Sequence, residues 1–111
     1  MLNESRLDTA FQALADPARR AMLARLAQGP ASVSELARPL PMSLPAVMQH
    51  LRALEDSGLV STVKKGRVRT ARLDGDGLGA AERWLTDRRT EWEEQADRLE
   101  SFLATLQDKG D

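Results

Sequence analysis

Gln49 is the residue whose type and setting point most directly at recognition chemistry. Its amide presents a donor beside an acceptor, the pattern that pairs with N6 and N7 of adenine in a DNA major groove, worth roughly 1–3 kcal/mol of discrimination. Pro45 and Ala46, just before it, are small enough to let a helix backbone approach the groove floor. Ser43, with the N–H groups of a helix start, can hold a phosphate oxygen. Arg52 lies one turn further on and reaches towards the backbone, and Met48 and His50 complete the stretch. A second cluster follows: Lys64, Lys65, Arg67 and Arg69 surround Gly66, a set suited to phosphate or minor-groove contact. Taken singly, each feature has a plainer reading, as an exposed helix residue or a strand edge guarded by charge. The conjunction is what points to double-stranded DNA. His50 borders the apolar face of its helix, where a packed or hydrogen-bonded side chain is the plainest role. A phosphate contact ranks next and metal ligation last.

The elements that must position these residues can be read from period and punctuation. Residues 2–15 carry Leu7, Phe11, Leu14 and Ala15 at helical spacing, with Ala10 and Ala13 as helix formers. Asp16-Pro17 ends that helix and caps the next, whose apolar face is Met22, Leu23 and Leu26 and whose end is Gly29-Pro30. Ser32-Val33-Ser34-Glu35 fits a capping box before a short helix through Arg38, with Val33, Leu36 and Ala37 apolar. Ser43 caps a helix over residues 44–57. Leu44, Val47, Leu51 and Leu54 share its apolar face, Pro45, Gln49 and Arg52 point the other way, and Ala46, Met48 and Ala53 flank. The period then changes: residues 60–63 and 68–73 are β-branched and partly alternating, with Lys65-Gly66-Arg67 as a hairpin tip. Leu78, Leu85, Trp92, Leu99 and Leu106 recur every seven residues along a last helix opening near Asp76. Ala81, Trp84, Ala96, Phe102 and Leu103 broaden that stripe. Two helices joined by a tight turn and followed by a hairpin make a winged helix-turn-helix, mainly α with a small β-hairpin. The expected plan is a single domain, 1–111, with a helix-turn-helix at 32–57 and a wing at 60–73.

Composition narrows the function. No cysteine removes thiolate metal sites, disulfides and thiol chemistry, and a single histidine removes sites that need two imidazoles. No nucleophile–base pair, metal-ligand set or glycine-rich phosphate loop is present, so an enzyme is not expected and no cofactor is implied. Net charge is -1, but it is unevenly placed. Residues 41–73 hold six basic and two acidic groups, and residues 82–111 five basic and nine acidic. A basic middle with an acidic tail suggests one surface that faces a polyanion and one that does not. Neither a transmembrane run nor a secretion signal is visible, so the expected location is cytoplasmic, without a membrane partner.

Three stretches resemble the ArsR/SmtB family of bacterial winged-helix repressors: Asp16-Pro-Ala-Arg-Arg-Ala-Met-Leu, Ser32-Val-Ser-Glu-Leu-Ala and residues 43–60, within a similarity from about Ala10 to Leu73. The resemblance implies a homodimer closed by the first and last helices. It also implies an operator with two-fold character, usually bound to block transcription. The family's base-reading positions match Ala46 and Gln49, and His50 matches a common family histidine. Met48 stands where serine is frequent, which alters one hydrogen bond and with it sequence preference. Metal-sensing members carry Cys-Val-Cys where this chain has Ser32-Val33-Ser34, and another known site uses histidine on the last helix, which here has none. Serine hydroxyls are poor ligands for soft metals, so the chain resembles the branch without a metal site.

The seven-residue stripe on residues 76–106 spans about 45 Å at 1.5 Å per residue, too long for a small winged core to cover. A partner helix from a second copy would cover it, with Leu7, Phe11, Leu85, Trp92, Leu99, Phe102, Leu103 and Leu106 at the interface. The alternative is a winged-helix protein-interaction module that binds another protein through the tryptophan-bearing helix. The five basic groups within residues 64–72 favour DNA over that reading. The aromatic stripe also leaves room for an unidentified small-molecule effector, although core packing is its plainer use.

Overall fold

Asp16 and Pro17 divide the first two helices, α1 (Leu2–Leu14) and α2 (Pro17–Leu26), in a computed structural model that describes residues 2–110. The Asp16 carboxylate accepts from the amides of Ala18 and Arg19 at 2.8 and 3.1 Å, satisfying two donors that a helix start leaves open. Strand β1 (Ala31–Ser32) and helix α3 (Val33–Ala37) follow. The Ser32 hydroxyl accepts from the Glu35 amide at 3.2 Å and donates to the Glu35 carboxylate at 3.2 Å. The capping box therefore closes through the hydroxyl itself. Helix α4 (Leu44–Asp56), strands β2 (Val60–Lys65) and β3 (Val68–Leu73) and helix α5 (Gly75–Gly110) complete the order.

The contacts group into two units, residues 1–81 and 82–111. In the first, the core gathers Ala13, Met22, Leu26, Leu36, Val47, Leu51, Leu54, Leu59, Val60 and Ala71 with their neighbours. Among the described side chains of α1, Ala10 and Ala13 are fully buried and Leu7 and Phe11 half-buried, and Ala15 just beyond it is exposed. From the sequence, Leu7, Phe11, Leu14 and Ala15 are the apolar residues at helical spacing, and Ala10 and Ala13 read only as helix formers. Small residues are buried there because α1 lies against α2 and α4. Leu44 also departs from expectation. It is 53% exposed, because the turn before α4 supplies Leu40 and Met42 to the core at that end.

The sheet is antiparallel in the order β1-β3-β2, with Val60 opposite Leu73 and Lys65 opposite Val68. The third strand, β1, was not foreseen. It is two residues long, paired as Ala31 to Ala71 and Ser32 to Thr70, too short to show an alternating pattern. Gly66 at φ 62, followed by a residue with ordinary negative φ, is the pattern of a type II′ turn. Helix α4 ends in a Schellman arrangement: Leu59 N–H donates to Leu54 C=O at 3.0 Å and Gly58 N–H to Glu55 C=O at 3.0 Å. Gly58 takes the required left-handed φ of 77.

The start of α5 is tied to that turn, since Gly77 N–H donates to Gly58 C=O at 2.9 Å. In the second unit, the rest of α5 presents an exposed stripe: Leu85, Trp92, Leu99, Phe102, Leu103 and Leu106 are all about half exposed or more. The helix runs on to Gly110. No proline or cap interrupts it.

A Cβ at Gly77 would meet the Ser57 carbonyl oxygen and the Gly58 backbone, whereas one at Gly75 would meet nothing within 4 Å. Gly77→Ala should therefore cost about 1–3 kcal/mol, as overpacking does. Gly75→Ala should stay within about 0.5 kcal/mol of the parent. Denaturant melts of the two variants check the difference.

Candidate nucleic-acid interface

Helix α4 is oriented by its apolar face. Val47, Leu51 and Leu54 are buried to 2% exposure or less, which leaves Pro45, Gln49 and Arg52 exposed on the opposite side. Ser43 is exposed and its hydroxyl accepts from the Ala46 amide at 3.3 Å. That bond uses an oxygen lone pair rather than the hydroxyl proton. Ala46 is half-buried. Met48 is half-buried too and packs against the core.

His50 is engaged within the protein. Its Nδ1 accepts from Arg19 Nε at 3.1 Å and lies 4.0 Å from the Asp16 carboxylate. An acceptor Nδ1 places the proton of the neutral ring on Nε2. Arg19 also donates to the Gln12 carbonyl of α1 at 3.4 Å, so one guanidinium touches α1 and α4 from its seat on α2. This tie was not visible in the sequence, where Arg19 stood only within the Asp16-Pro-Ala-Arg-Arg stretch that carries the family resemblance. The Asp-Pro-x-Arg spacing is the signal that could have suggested it.

The wing brings its cations together at the tip. Lys64, Lys65 and Arg67 are exposed. Arg69 is half-buried and donates to the Thr62 hydroxyl at 2.8 Å, and Arg72 donates to the Ser61 hydroxyl at 3.2 Å. Lys64 and Arg69 stand directly opposite each other across the hairpin, an arrangement that like charges disfavour. The expected interface residues fall in both units: Leu7 and Phe11 are half-buried in the first, and those from Leu85 to Leu106 form the exposed stripe of the second. Arg88 stacks 5.0 Å above the Trp84 ring and pairs with Glu91 at 2.9 Å.

Among the described residues, no group of three or more histidine, aspartate or glutamate side chains is placed to hold a metal ion, and no helix is long and apolar enough to cross a membrane. An outward-facing second helix after a tight turn, with a basic hairpin following it, defines a winged helix-turn-helix DNA-binding fold.

Comparison with known proteins places that fold in a family. A helix-turn-helix domain family matches residues 14–63. The HTH-type transcriptional regulator Rv2034 of Mycobacterium tuberculosis is 53% identical over 73 residues, which span 66% of this chain and 68% of that protein. The crystal structure of an ArsR family transcriptional regulator, RHA00566, is 51% identical with a TM-score of 0.78, covering 81% of this chain and 93% of its own. An ArsR-like transcriptional regulator from Rhodococcus sp. RHA1 is 33% identical with a TM-score of 0.76, covering 92% and 96%. The chain belongs to the ArsR family of transcriptional regulators.

The cap at Asp16 carries a pH prediction. The Arg19 amide does most to hold its carboxyl below the ordinary value of 3.8; desolvation opposes this, while His50, the Ala18 amide and the Arg19 guanidinium add to it. A depressed carboxylate contributes stability above its unfolded pKa and loses that contribution as pH falls through the folded pKa. Asp16→Asn keeps a capping side chain but removes the charge. It should melt below the parent at neutral pH, and the gap should narrow as pH falls below the ordinary carboxylate range and the Asp16 carboxylate of the folded protein takes up its proton. Paired thermal melts across that range check it.

Proposed function

We propose that this chain is a cytoplasmic, homodimeric repressor that reads an operator with α4 and holds its backbone with the wing. The observation that carries the proposal is the division of α4. One face is sealed into the core, and the opposite face presents Pro45, Gln49 and Arg52 beside the exposed turn at Ser43. Gln49 reads a base edge; Pro45 and Ala46 let the helix approach; Ser43 and Arg52 hold phosphates. Lys64, Lys65 and Arg67 supply the sequence-independent attraction of the wing. The opposed cations Lys64 and Arg69 are consistent with this, because a phosphate nearby would offset their repulsion.

Met48 and His50 act from within the protein in this reading: Met48 through packing, His50 through Arg19. The second copy covers the α5 stripe, where Trp92 is 69% and Leu99 58% exposed in the single chain. Apolar groups of that size in a row mark an association surface. Glu91, Glu93, Glu94, Asp97 and Glu100 make the same helix unsuited to DNA. The regulator works without a metal site in this reading, since the Ser32 hydroxyl is already committed to the α3 cap.

Fluorescence anisotropy on the gene's own upstream duplex and on a scrambled one, across a salt series, tests the reading. The parent should prefer the upstream duplex and weaken steeply with salt. Gln49→Ala should lose roughly tenfold in preference between the two. Lys64→Ala should weaken both equally and flatten the salt slope by about 0.9. Equal loss on both duplexes for the two variants would contradict the assigned roles.

A further inference from the structure

Arg69 belongs by charge to the wing's cation cluster, yet its surroundings give it a different task. Counting the register back from the tip puts Lys64 opposite Arg69, Thr62 opposite Ala71 and Val60 opposite Leu73. Alternation then places Val60, Thr62 and Lys64 of β2 with Leu73, Ala71 and Arg69 of β3 on one face of the hairpin. This face meets the core at Val60 and Ala71, which are 1% and 0% exposed, while towards the tip Lys64 is exposed and Arg69 only half-buried. Thr62 and Arg69 are diagonal neighbours on it, within reach of each other. Arg69 Nη1 donates to Thr62 Oγ1 at 2.8 Å, and Thr62 Oγ1 donates to Glu55 Oε2 at 2.7 Å.

The direction of both bonds is fixed, because a guanidinium only donates, a carboxylate only accepts and a hydroxyl can do both. Each bond has a charged group at one end, which strengthens it. Glu55 lies in the last turn of α4. The relay therefore runs from β3 through β2 to the end of the reading helix.

We infer that Arg69 is a positioning residue that, through Thr62 and Glu55, sets the wing's angle against α4 and leaves the phosphates to Lys64, Lys65 and Arg67. The need for such a brace follows from leverage. From Val60 to Lys65 the hairpin extends about 17 Å, so a drift of about 10° at its base moves the tip by about 3 Å, the length of a hydrogen bond. The inference deepens the proposed DNA-binding role and rests on it for its second half only. The brace itself is a property of the protein without DNA.

Thr62→Val tests it, because valine keeps the branched shape and removes the hydroxyl. In the protein alone, amide exchange at residues 63–69 should quicken severalfold in Thr62→Val and in Arg69→Ala, with the remaining core unchanged. Unchanged exchange in Thr62→Val would overturn the brace whether or not any duplex binds. On the upstream duplex, both variants should bind about tenfold more weakly, the scale of one charge-assisted hydrogen bond. Their salt slope should be that of the parent, and the double variant should be no worse than either single one. Glu55→Gln, which still accepts, should bind like the parent, and Glu55→Ala should reproduce the loss. A slope flattened by about 0.9 in Arg69→Ala, with Thr62→Val unaffected, would make Arg69 a phosphate contact and overturn the inference. A parent protein that binds neither duplex would defeat the functional reading, and the exchange result would still decide the brace.

Discussion

Burial of one face of α4 is the constraint on which the site depends. Val47, Leu51 and Leu54 cannot leave the core without losing several kcal/mol. Their spacing fixes the rotation of the helix, and the rotation fixes where Gln49 points. The Ser43 cap sets where the helix begins and the Schellman turn at Gly58 where it ends. His50 and Glu55 then hold its flank and its last turn, one through Arg19 on α2, the other through Thr62 on β2. In its proposed role α4 must keep its orientation while its outer face meets a charged, hydrated surface. Here apolar packing supplies the orientation, and polar ties at the edge of the core refine it.

Much of this was legible in the residues, because helix punctuation and the α4 face are local signals. Asp16-Pro17, Ser32-x-x-Glu35 and Ser43 each mark a helix start at which the structure has one. Gly66 marks the hairpin turn. What escaped was set by tertiary contact. Ala10 and Ala13 read as helix formers but are buried where α1 meets its neighbours. Leu44 fits the apolar period but sits at the helix's first position, where the preceding turn covers the core instead. Strand β1 exists because β3 offers it a partner. Arg69 and Lys64 are equivalent as charges and lie on the same face of the hairpin; the hydrogen bond from Arg69 to Thr62, with Lys64 left exposed, is what tells them apart.

The two compact units divide the labour by charge and polarity. The first holds the packed core, helix α4 and the basic hairpin. The second is one helix, acidic on much of its surface and apolar along a seven-residue stripe, with little of that stripe covered in the single chain. In the proposed reading such a helix associates with a second copy of itself and keeps clear of the phosphate backbone. A family of transcriptional regulators built on this fold can therefore separate recognition from assembly within one short chain.

Footprinting of the upstream duplex by the purified protein tests the central claim most directly. Two copies of α4 related by a two-fold axis should protect two inverted half-sites about one helical turn, roughly 34 Å, apart. Substitution of Gln49 should erase protection at the same position in both halves. A single unpaired half-site, or protection that ignores Gln49, would contradict the account of a dimer that reads DNA through the outer face of α4.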